Sequence, residues 1–195
     1  RTTTRTMSAV VLPFKGEFGI GFTILNNQVN HGAPYSRNKG LKRAKGEFVL
    51  FCDADVEMRP DMLEKMQNAL QAPPEASYAY SGHRFGLKNF RSFPYDAERL
   101  KLMPYIHTSS LVRRAHLPHP CWDENLKRLQ DWDLWLTMAE QGRAGFWIDE
   151  TLFSVEGGGT MSRWLPKSFY TLFPFLPSVM RYKDAILVIR EKHKL

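Results

Sequence analysis

The sequence is short of cysteine, of long apolar runs and of clustered charge. Its two cysteines, Cys52 and Cys121, make no disulfide framework, which predicts a reducing compartment and hence a cytoplasmic location. No stretch approaches the roughly 20 apolar residues that a membrane-spanning helix needs. The net charge is +7, but the lysines and arginines are scattered, with no basic tract. They are therefore expected to be solvated surface residues, and nucleic acid is not a predicted partner.

One segment organises the rest of the prediction. Across Phe48–Asp55, five bulky or apolar residues run directly into Asp53 and Asp55. A continuous apolar run predicts a strand that is buried on both faces, as in parallel sheets. Ligands of open α/β sheets bind beyond the carboxyl ends of such strands, and two neighbouring carboxylates there favour a divalent cation. The alternative is a loop aspartate followed by a helix N-cap.

Helical and strand patterns alternate on both sides of this segment. Pro34 suits a first helical turn and Gly46 a helix C-cap. The same rules predict helices that begin near Pro60, Asp96 and Asp131, strands near residues 78–80, 105–112 and 146–148, and a basic amphipathic helix at the end. This order predicts an α/β fold in which helices flank a mixed, mainly parallel sheet.

Two separate motifs resemble the family 2 glycosyltransferases, which have a GT-A fold. The first comprises HGAPYSRNKGL at residues 31–41 and GEFVLFCDAD at residues 46–55. The second comprises WDENL at 122–126 and QDWDLWL at 130–136, where the family usually has FDENL and EDxDLWL. Their order and spacing make the resemblance specific. It implies a GT-A-like, Rossmann-related domain over residues 1–165 and a C-terminal helical extension, residues 166–195, packed on it.

The resemblance assigns a donor site to the first motif. In the family the Asp-x-Asp pair binds Mn²⁺ or Mg²⁺, which bridges the diphosphate of a sugar nucleotide and neutralises the leaving group. Asp55 is the expected direct metal ligand, and Asp53 is a further metal ligand or a contact on the ribose side. Arg37 matches a family arginine, which implies a contact to the nucleotide. The alternative for Arg37 is a solvent-facing arginine that pairs with Glu47 or another acid.

The second motif supplies the expected general base, Asp131. An inverting transfer needs a carboxylate that takes the proton of the acceptor hydroxyl while its oxygen attacks the anomeric carbon. Asp131 shares a helical stripe with apolar residues, whereas Asp133 is predicted to lie on the wet face of the same helix. The family's glutamate is replaced by Gln130. A carboxylate that serves only the helix dipole is the alternative role for Asp131.

Three further residues are candidates for an acceptor site or a lid: His107, Trp132 and Arg163. His107 lies in a predicted strand that runs beside the acceptor pocket in such folds, and a structural histidine is the alternative. The stretch around Arg163 resembles the end of a motif of processive members, but Thr160 replaces its glutamine, so processivity is not predicted. The glycines from Gly157 belong either to a lid over the diphosphate or to a flexible connector.

The resemblance has a gap at its start. Upstream of Ile24 neither the family's first strand nor its acidic turn is found, and no aspartate precedes Asp53. We therefore expect an N-terminally truncated copy, whose activity depends on the strands it lacks. The basic C-terminal helix is expected to cover the domain; the alternative is contact with the inner face of an anionic membrane.

These observations predict a metal-dependent, inverting transfer of a sugar from a UDP-, GDP- or dTDP-sugar. The acceptor is expected to be a hydroxyl of a glycan, a lipid-linked molecule or a polysaccharide precursor of the cell envelope. A catalytically inactive binding or scaffold protein with the same fold is the alternative. The nearest enzymatic rival is a nucleotidyltransferase that uses the same metal.

Overall fold

The computed structural model describes residues 9–11, 23–71, 75–156 and 175–195. The strands within them are β1 (Ala9–Val11), β2 (Thr23–Leu25), β3 (Phe48–Leu50), β4 (Val56–Met58), β5 (Tyr78–Phe85), β6 (Lys88–Phe90), β7 (Leu111–Arg113) and β8 (Gly145–Val155). The helices are α1 (Ala33–Leu41), α2 (Met62–Gln71), α3 (Ala97–Leu102), α4 (Gln130–Glu140) and α5 (Pro177–His193). Strands and helices thus mix along the chain, as the sequence predicted.

The main sheet is mixed in direction. Six of the described strands form it, in the order β3-β7-β5-β8-β4, with β6 paired to β5, while β1 and β2 form a separate antiparallel pair. Strand β5 runs parallel to β8, and the other four pairings are antiparallel. The predicted mixed sheet is confirmed. The expectation that it is mainly parallel is wrong for the described strands.

Strand β3 is apolar along its whole length because packed side chains cover both of its faces. Val49 and Phe51 point into a large core that includes residues of α3, α4 and α5. Phe48 and Leu50 pack on a smaller core built around the apolar face of α2. Burial on both faces therefore explains the apolar run, although the strand's described neighbour, β7, is antiparallel.

Buried tryptophans fix the position of helix α4. Trp132 and Trp135 are at most 1% exposed. The indole N–H of Trp132 donates to the carbonyl of Leu100 at 2.6 Å, and that of Trp135 donates to the carbonyl of Ile106 at 3.0 Å. Each ring buries a large apolar area while its one polar atom stays satisfied. These bonds tie the first turns of α4 to α3 and to the loop before β7.

Helix α5 packs on α4. Its Val179 and Ile189 are buried, and Ile189 belongs to the large core. The covering role that the sequence favoured for this helix therefore agrees with the structure. Among the described helices, none is long and apolar enough to cross a membrane. The domain boundary after residue 165 stays a prediction, because it lies outside the described residues.

The predicted strand over residues 105–112 is wrong for most of its length. Strand β7 starts only at Leu111, and His107 lies in the loop before it. Side chains satisfy the backbone there: the N–H of Ser109 donates to His107 Nδ1 at 3.0 Å, and Ser110 Oγ donates to the His107 carbonyl at 2.7 Å. Such local bonds compete with strand pairing. The three-residue strand β4 was not predicted.

Candidate active site

The Asp-x-Asp pair lies in the turn that joins β3 to β4. The N–H of Val56 donates to the carbonyl of Asp53 at 3.1 Å, and the N–H of Glu156 donates to the carbonyl of Asp55 at 2.9 Å. Both aspartates are half-buried. The structure therefore places them at the carboxyl end of a buried strand, the position that the apolar run predicted.

Arg37 connects this turn to the start of α4. Its Nη2 lies 2.6 Å from Asp53 Oδ1, and its Nη1 donates to Gln130 Oε1 at 3.3 Å. The guanidinium carbon lies 4.6 Å from the centroid of the Trp122 ring. This cation–π contact supports the planar guanidinium group on one side. The alternative was a solvent-facing arginine that pairs with Glu47 or another acid. Arg37 does pair with another acid, Asp53, but its side chain is only 15% exposed, and Glu47 pairs with Arg113. Arg37 thus links the first motif to the second through Gln130, which lies 93 residues further along the chain.

Gln130, which replaces the family's glutamate, uses both ends of its amide. Its Oε1 accepts from Arg37, and its Nε2 donates to the carbonyl of Leu126 at 2.8 Å. A carboxylate could accept the first bond but could not donate the second.

Leu129, the residue before Gln130, has a left-handed φ of 56°. This conformation costs a non-glycine residue about 1–2 kcal/mol, and it persists where the surroundings enforce it.

Asp131 stands in the first turn of α4, half-buried. Its Oδ1 accepts the N–H of Trp132 at 2.9 Å. Burial raises the pKa of Asp131, and the nearby His107 and Arg37 offset only part of that effect. A carboxylate with a raised pKa is a stronger base towards a hydroxyl proton. The pKa shift and the position together suit the role of general base.

His107 lies among these acidic groups as a neutral ring. Burial lowers the pKa of His107, and the charges of Asp131, Asp53 and Asp55 oppose that shift without reversing it. Because Nδ1 accepts the N–H of Ser109, the neutral ring carries its proton on Nε2. The electrostatic influence of all three aspartates on one imidazole shows that the two motifs converge in space.

The two aspartates of the turn differ in their partners. Asp53 is held by Arg37, whereas the carboxylate of Asp55 makes no hydrogen bond or ion pair with any residue that the structure describes. No group of three or more His, Cys, Asp or Glu side chains within the described ranges could hold a metal by itself. One or two carboxylates fit Mg²⁺ or Mn²⁺, since such ions complete their coordination with water and substrate phosphates. The donor set therefore fits a substrate-bridging ion.

Two sequence expectations do not fit the structure. Trp132 is 1% exposed in the core, so its ring offers no surface to an acceptor or a lid. Asp133, predicted on the wet face, is 3% exposed because α5 covers that face. Helix α5 places Lys192 Nζ 2.8 Å and His193 Nε2 2.9 Å from Asp133 Oδ1. Arg163 and the stretch from residue 157 lie outside the described residues.

Asp131 and His107 also line a cleft that sequence reasoning missed. Its volume is about 160 Å³, and β5, β6 and the loops around α3 form its walls. Apart from Asp131, these residues belong to no motif, and they come from segments that meet only in the folded chain. Besides Asp131 and His107, the walls include His83, Phe90, Arg91, Phe93 and Tyr105.

Comparisons with known proteins identify the family of the chain. The sequence model of Glycosyl transferase family 2 matches residues 6–128. Over 123 residues the chain is 31% identical to an uncharacterised glycosyltransferase of Methanocaldococcus jannaschii, which covers 57% of this chain and 42% of that protein. Over 137 residues it is 28% identical to the putative teichuronic acid biosynthesis glycosyltransferase TuaG of Bacillus subtilis, with coverages of 63% and 52%.

The fold has a counterpart among solved structures. A crystal structure of S. aureus TarS in complex with UDP matches with a TM-score of 0.55 and 20% identity, over 84% of this chain and 46% of that chain. This likeness confirms the expected GT-A-like α/β fold. The chain spans about half the length of these relatives or less. Because the family model covers more than half of the chain, including Arg37 and the Asp-x-Asp turn, the chain belongs to glycosyl transferase family 2.

Proposed function

We propose that this site serves the metal-dependent transfer of a sugar from a nucleoside-diphosphate sugar to a hydroxyl acceptor, with inversion. One observation carries the proposal: Arg37 binds Asp53 and Gln130 together and so sets the Asp-x-Asp turn beside Asp131. Membership of the family supports the reaction class. The UDP in the TarS structure supports a nucleotide as part of the donor.

The donor end would be built on the turn after β3. Asp55, whose carboxylate has no partner among the described residues, would hold Mn²⁺ or Mg²⁺, while Arg37 keeps Asp53 in place beside it. The bound ion would supply neutralisation of the charge on the departing nucleoside diphosphate. Arg37 carries a second positive charge at this end, which suits a diphosphate.

The acceptor end would be built on Asp131. As the acceptor oxygen forms its bond to the anomeric carbon, the bond from that carbon to the phosphate oxygen breaks, and Asp131 takes the hydroxyl proton. A single displacement of this kind inverts the anomeric configuration. The loss of water around Asp131 raises its pKa and strengthens it as a base. Neutral His107 adds no positive charge that would weaken it.

The acceptor belongs, in this proposal, to the biosynthesis of a cell-envelope polysaccharide. The support is the likeness to TuaG, a putative teichuronic acid biosynthesis glycosyltransferase. A glycan or lipid-linked precursor would meet the enzyme at the inner face of the membrane.

The first experiment measures Mn²⁺-dependent hydrolysis of a panel of UDP-, GDP- and dTDP-sugars, with water in place of the acceptor. We expect one donor to be turned over and chelation to stop it. Asp55→Ala should abolish turnover, because a metal ligand is lost. Glu64→Ala is the matched control: Glu64 is exposed and has no partner among the described residues, so its loss should change nothing.

The second readout concerns the base. Asp131→Asn should lower transfer to an acceptor by about 10²- to 10⁴-fold, and Asp149→Asn, the same change at an exposed site, should not. The rate should fall on the acid side at a pH above the ordinary carboxylate range, because the pKa of Asp131 is raised. Product with a retained anomeric configuration would refute inversion. Donor binding without any turnover would favour the inactive binding protein.

A further inference from the structure

We infer that the cleft beside Asp131 binds the acceptor, and that the acceptor is a sugar that carries an anionic group, a phosphate or a carboxylate, next to its reacting hydroxyl. We name this space the Arg91 cleft; it is lined by His83, Arg91, Phe93, Tyr105, His107 and Asp131. The inference rests on the proposed function, because it takes Asp131 as the general base.

The acceptor must lie near Asp131, because Asp131 takes the proton of its hydroxyl. A general base must lie within hydrogen-bond reach of the hydroxyl that it deprotonates. Arg37 and the Asp-x-Asp turn occupy the donor end of the site. Asp131 also lines the Arg91 cleft, and the molecule that gives up its proton fits there.

Stacked rings form a rigid and uncharged part of the cleft wall. The ring of His83 lies between Phe90 and Phe153, with centroid distances of 5.1 and 5.3 Å and interplanar angles of 4° and 10°. Burial, together with the neighbouring His107, lowers the pKa of His83 to about 3, so the ring is neutral at physiological pH. His107 is neutral too. The histidines therefore offer ring surface and hydrogen-bonding nitrogen rather than charge.

Arg91 is the exception to this neutrality. It is exposed on the cleft wall, and it makes no hydrogen bond or ion pair with any part of the chain that the structure describes. Arg37, Arg59 and Arg113, by contrast, each pair with a carboxylate. A guanidinium presents a planar fork of donors that matches a phosphate or carboxylate. An unpaired fork beside the base therefore favours an acceptor with an anion close to its hydroxyl.

The segment that supplies Arg91 and Phe93 to the cleft wall has a positive charge balance. Residues 88–101 contain four cationic and two acidic side chains, a balance of +2. Neither acid neutralises Arg91: Asp96 caps α3 by accepting backbone N–H groups, and Glu98 pairs with Lys101 at 2.6 Å. The guanidinium of Arg99 lies 4.7 Å from the Phe93 ring centroid, which adds a cation at the rim.

The aromatic residues indicate a sugar ring rather than a free anion. Phe93 is 39% exposed, and Tyr105 stands 6.0 Å from it in an edge-to-face arrangement. The C–H face of a pyranose packs on such rings, and its hydroxyl groups remain free to meet Asp131. Ring surface, one unpaired arginine and one base together fit an acidic sugar.

The test compares acceptors that differ only in the group at C6 of the sugar, which is neutral in one and anionic in the other two. Transfer is measured to 4-nitrophenyl glucoside, to the corresponding glucuronide and to the corresponding 6-phosphate, together with hydrolysis of the same donor. The wild-type protein should use at least one anionic acceptor in preference to the neutral one, and the better of the two identifies the carboxylate or the phosphate. Arg91→Gln should lower kcat/KM for that acceptor about 10- to 100-fold, the factor that corresponds to a charged hydrogen bond.

The controls separate this inference from general damage. Arg91→Gln should leave neutral acceptors, donor hydrolysis and donor KM within about twofold, because Arg91 is exposed and makes no hydrogen bond or ion pair with another described residue. Arg84→Gln, the same change at an exposed arginine outside the cleft, should leave all acceptors unchanged. No preference for anionic acceptors, or an equal loss for all acceptors and for hydrolysis, would overturn the inference.

A failure of the proposed function has a different appearance. In that case neither hydrolysis nor transfer occurs with any donor. The inference is then decided without turnover. Saturation-transfer NMR measures the binding of the same three glycosides to the wild-type protein and to Arg91→Gln. Weaker binding of the anionic glycosides alone in the variant supports it, and equal binding of all three glycosides to both proteins overturns it.

Discussion

Two polar networks include residues of helix α4, one through Asp131 and the other through Asp133. They differ in whether their charged side chains are paired. The site network consists of Arg37, Asp53, Asp55, Gln130 and Asp131. The helix clasp consists of Asp123, Asp133, Glu140, Lys192 and His193, and it joins α4 to α5. Every clasp member has a partner of opposite charge, whereas Asp55 and Asp131 have no ion pair among the described residues. Charges that hold the fold are satisfied within it, and charges left unpaired are available to a substrate.

The clasp is organised by the imidazole of His193. Its Nε2 lies 2.9 Å from Asp133 Oδ1, and its Nδ1 lies 2.8 Å from Glu140 Oε1. Both nitrogens must donate to make these bonds, which requires the protonated ring. Burial lowers the pKa of His193, but the hydrogen bonds to the two carboxylates outweigh that effect and raise it. The ring is therefore a structural cation, unlike neutral His107 in the site.

The largest expected change in stability comes from Asp133→Asn. This substitution leaves Lys192 and His193 facing a neutral amide in a site where the Asp133 side chain is 5% exposed. Loss of one partner from a buried pair costs about 3–5 kcal/mol, and we expect the lower end, because Lys192 is 38% exposed and keeps Asp123. The free energy of unfolding, measured with urea at pH 7, checks this value.

Asp131→Asn is the matched control for Asp133→Asn, since it makes the same chemical change two residues away. Burial raises the pKa of Asp131, so the folded protein disfavours the ionised carboxylate above the unfolded pKa, and its removal should leave stability unchanged or raise it. The effect on transfer should be reversed: lost in Asp131→Asn and retained in folded Asp133→Asn. Equal destabilisation by both variants would break the distinction between the two networks.

A smaller, pH-dependent effect is expected from His193→Gln. A group with a raised pKa in the folded state stabilises the fold fully below its unfolded pKa, about 6.5, and loses that contribution as pH rises through the folded value. Wild-type protein should therefore exceed His193→Gln in unfolding free energy by more at pH 5.5 than at pH 8.5. A difference that grows with pH would contradict the assignment of a charged His193.

The site was predictable from the sequence where the signal is local. The apolar run of β3 leads directly into Asp53 and Asp55, and a motif on an amphipathic helix marks Asp131. Helical periodicity failed at Asp133, because the residues that cover it come from a helix 60 positions away. The parallel pairing of β5 with β8 and the link from Arg37 to Gln130 are also long-range contacts, which no local period encodes.

The Arg91 cleft was missed for the same reason. Its walls come from a hairpin, a loop and the start of α4, and only the last of these carries a motif, the one that contains Asp131. His107 shows the opposite error. Its surroundings suggested a strand, but hydrogen bonds of Ser109 and Ser110 to His107 hold it in a loop that lines the cleft together with Asp131. Side-chain to backbone bonds decided that segment, and its sequence pattern alone could not.

The smallest expected effect concerns the influence of residue 130 on the pKa of Asp131, the proposed base. Gln130→Glu restores the family's acid and puts a second negative charge one residue from Asp131, beside Arg37. A like charge disfavours ionisation, so the pKa of Asp131 should rise further, and the acid limb of the kcat/KM profile should move to higher pH. The carbonyl of Leu126 loses its donor, which costs about 1 kcal/mol of stability. Gln141→Glu, the same change at the exposed far end of α4, should leave the profile in place. If Gln130→Glu leaves the acid limb unchanged, the group that titrates there is not Asp131. The claim that the unpaired carboxylate of the site network acts as the base would then be wrong.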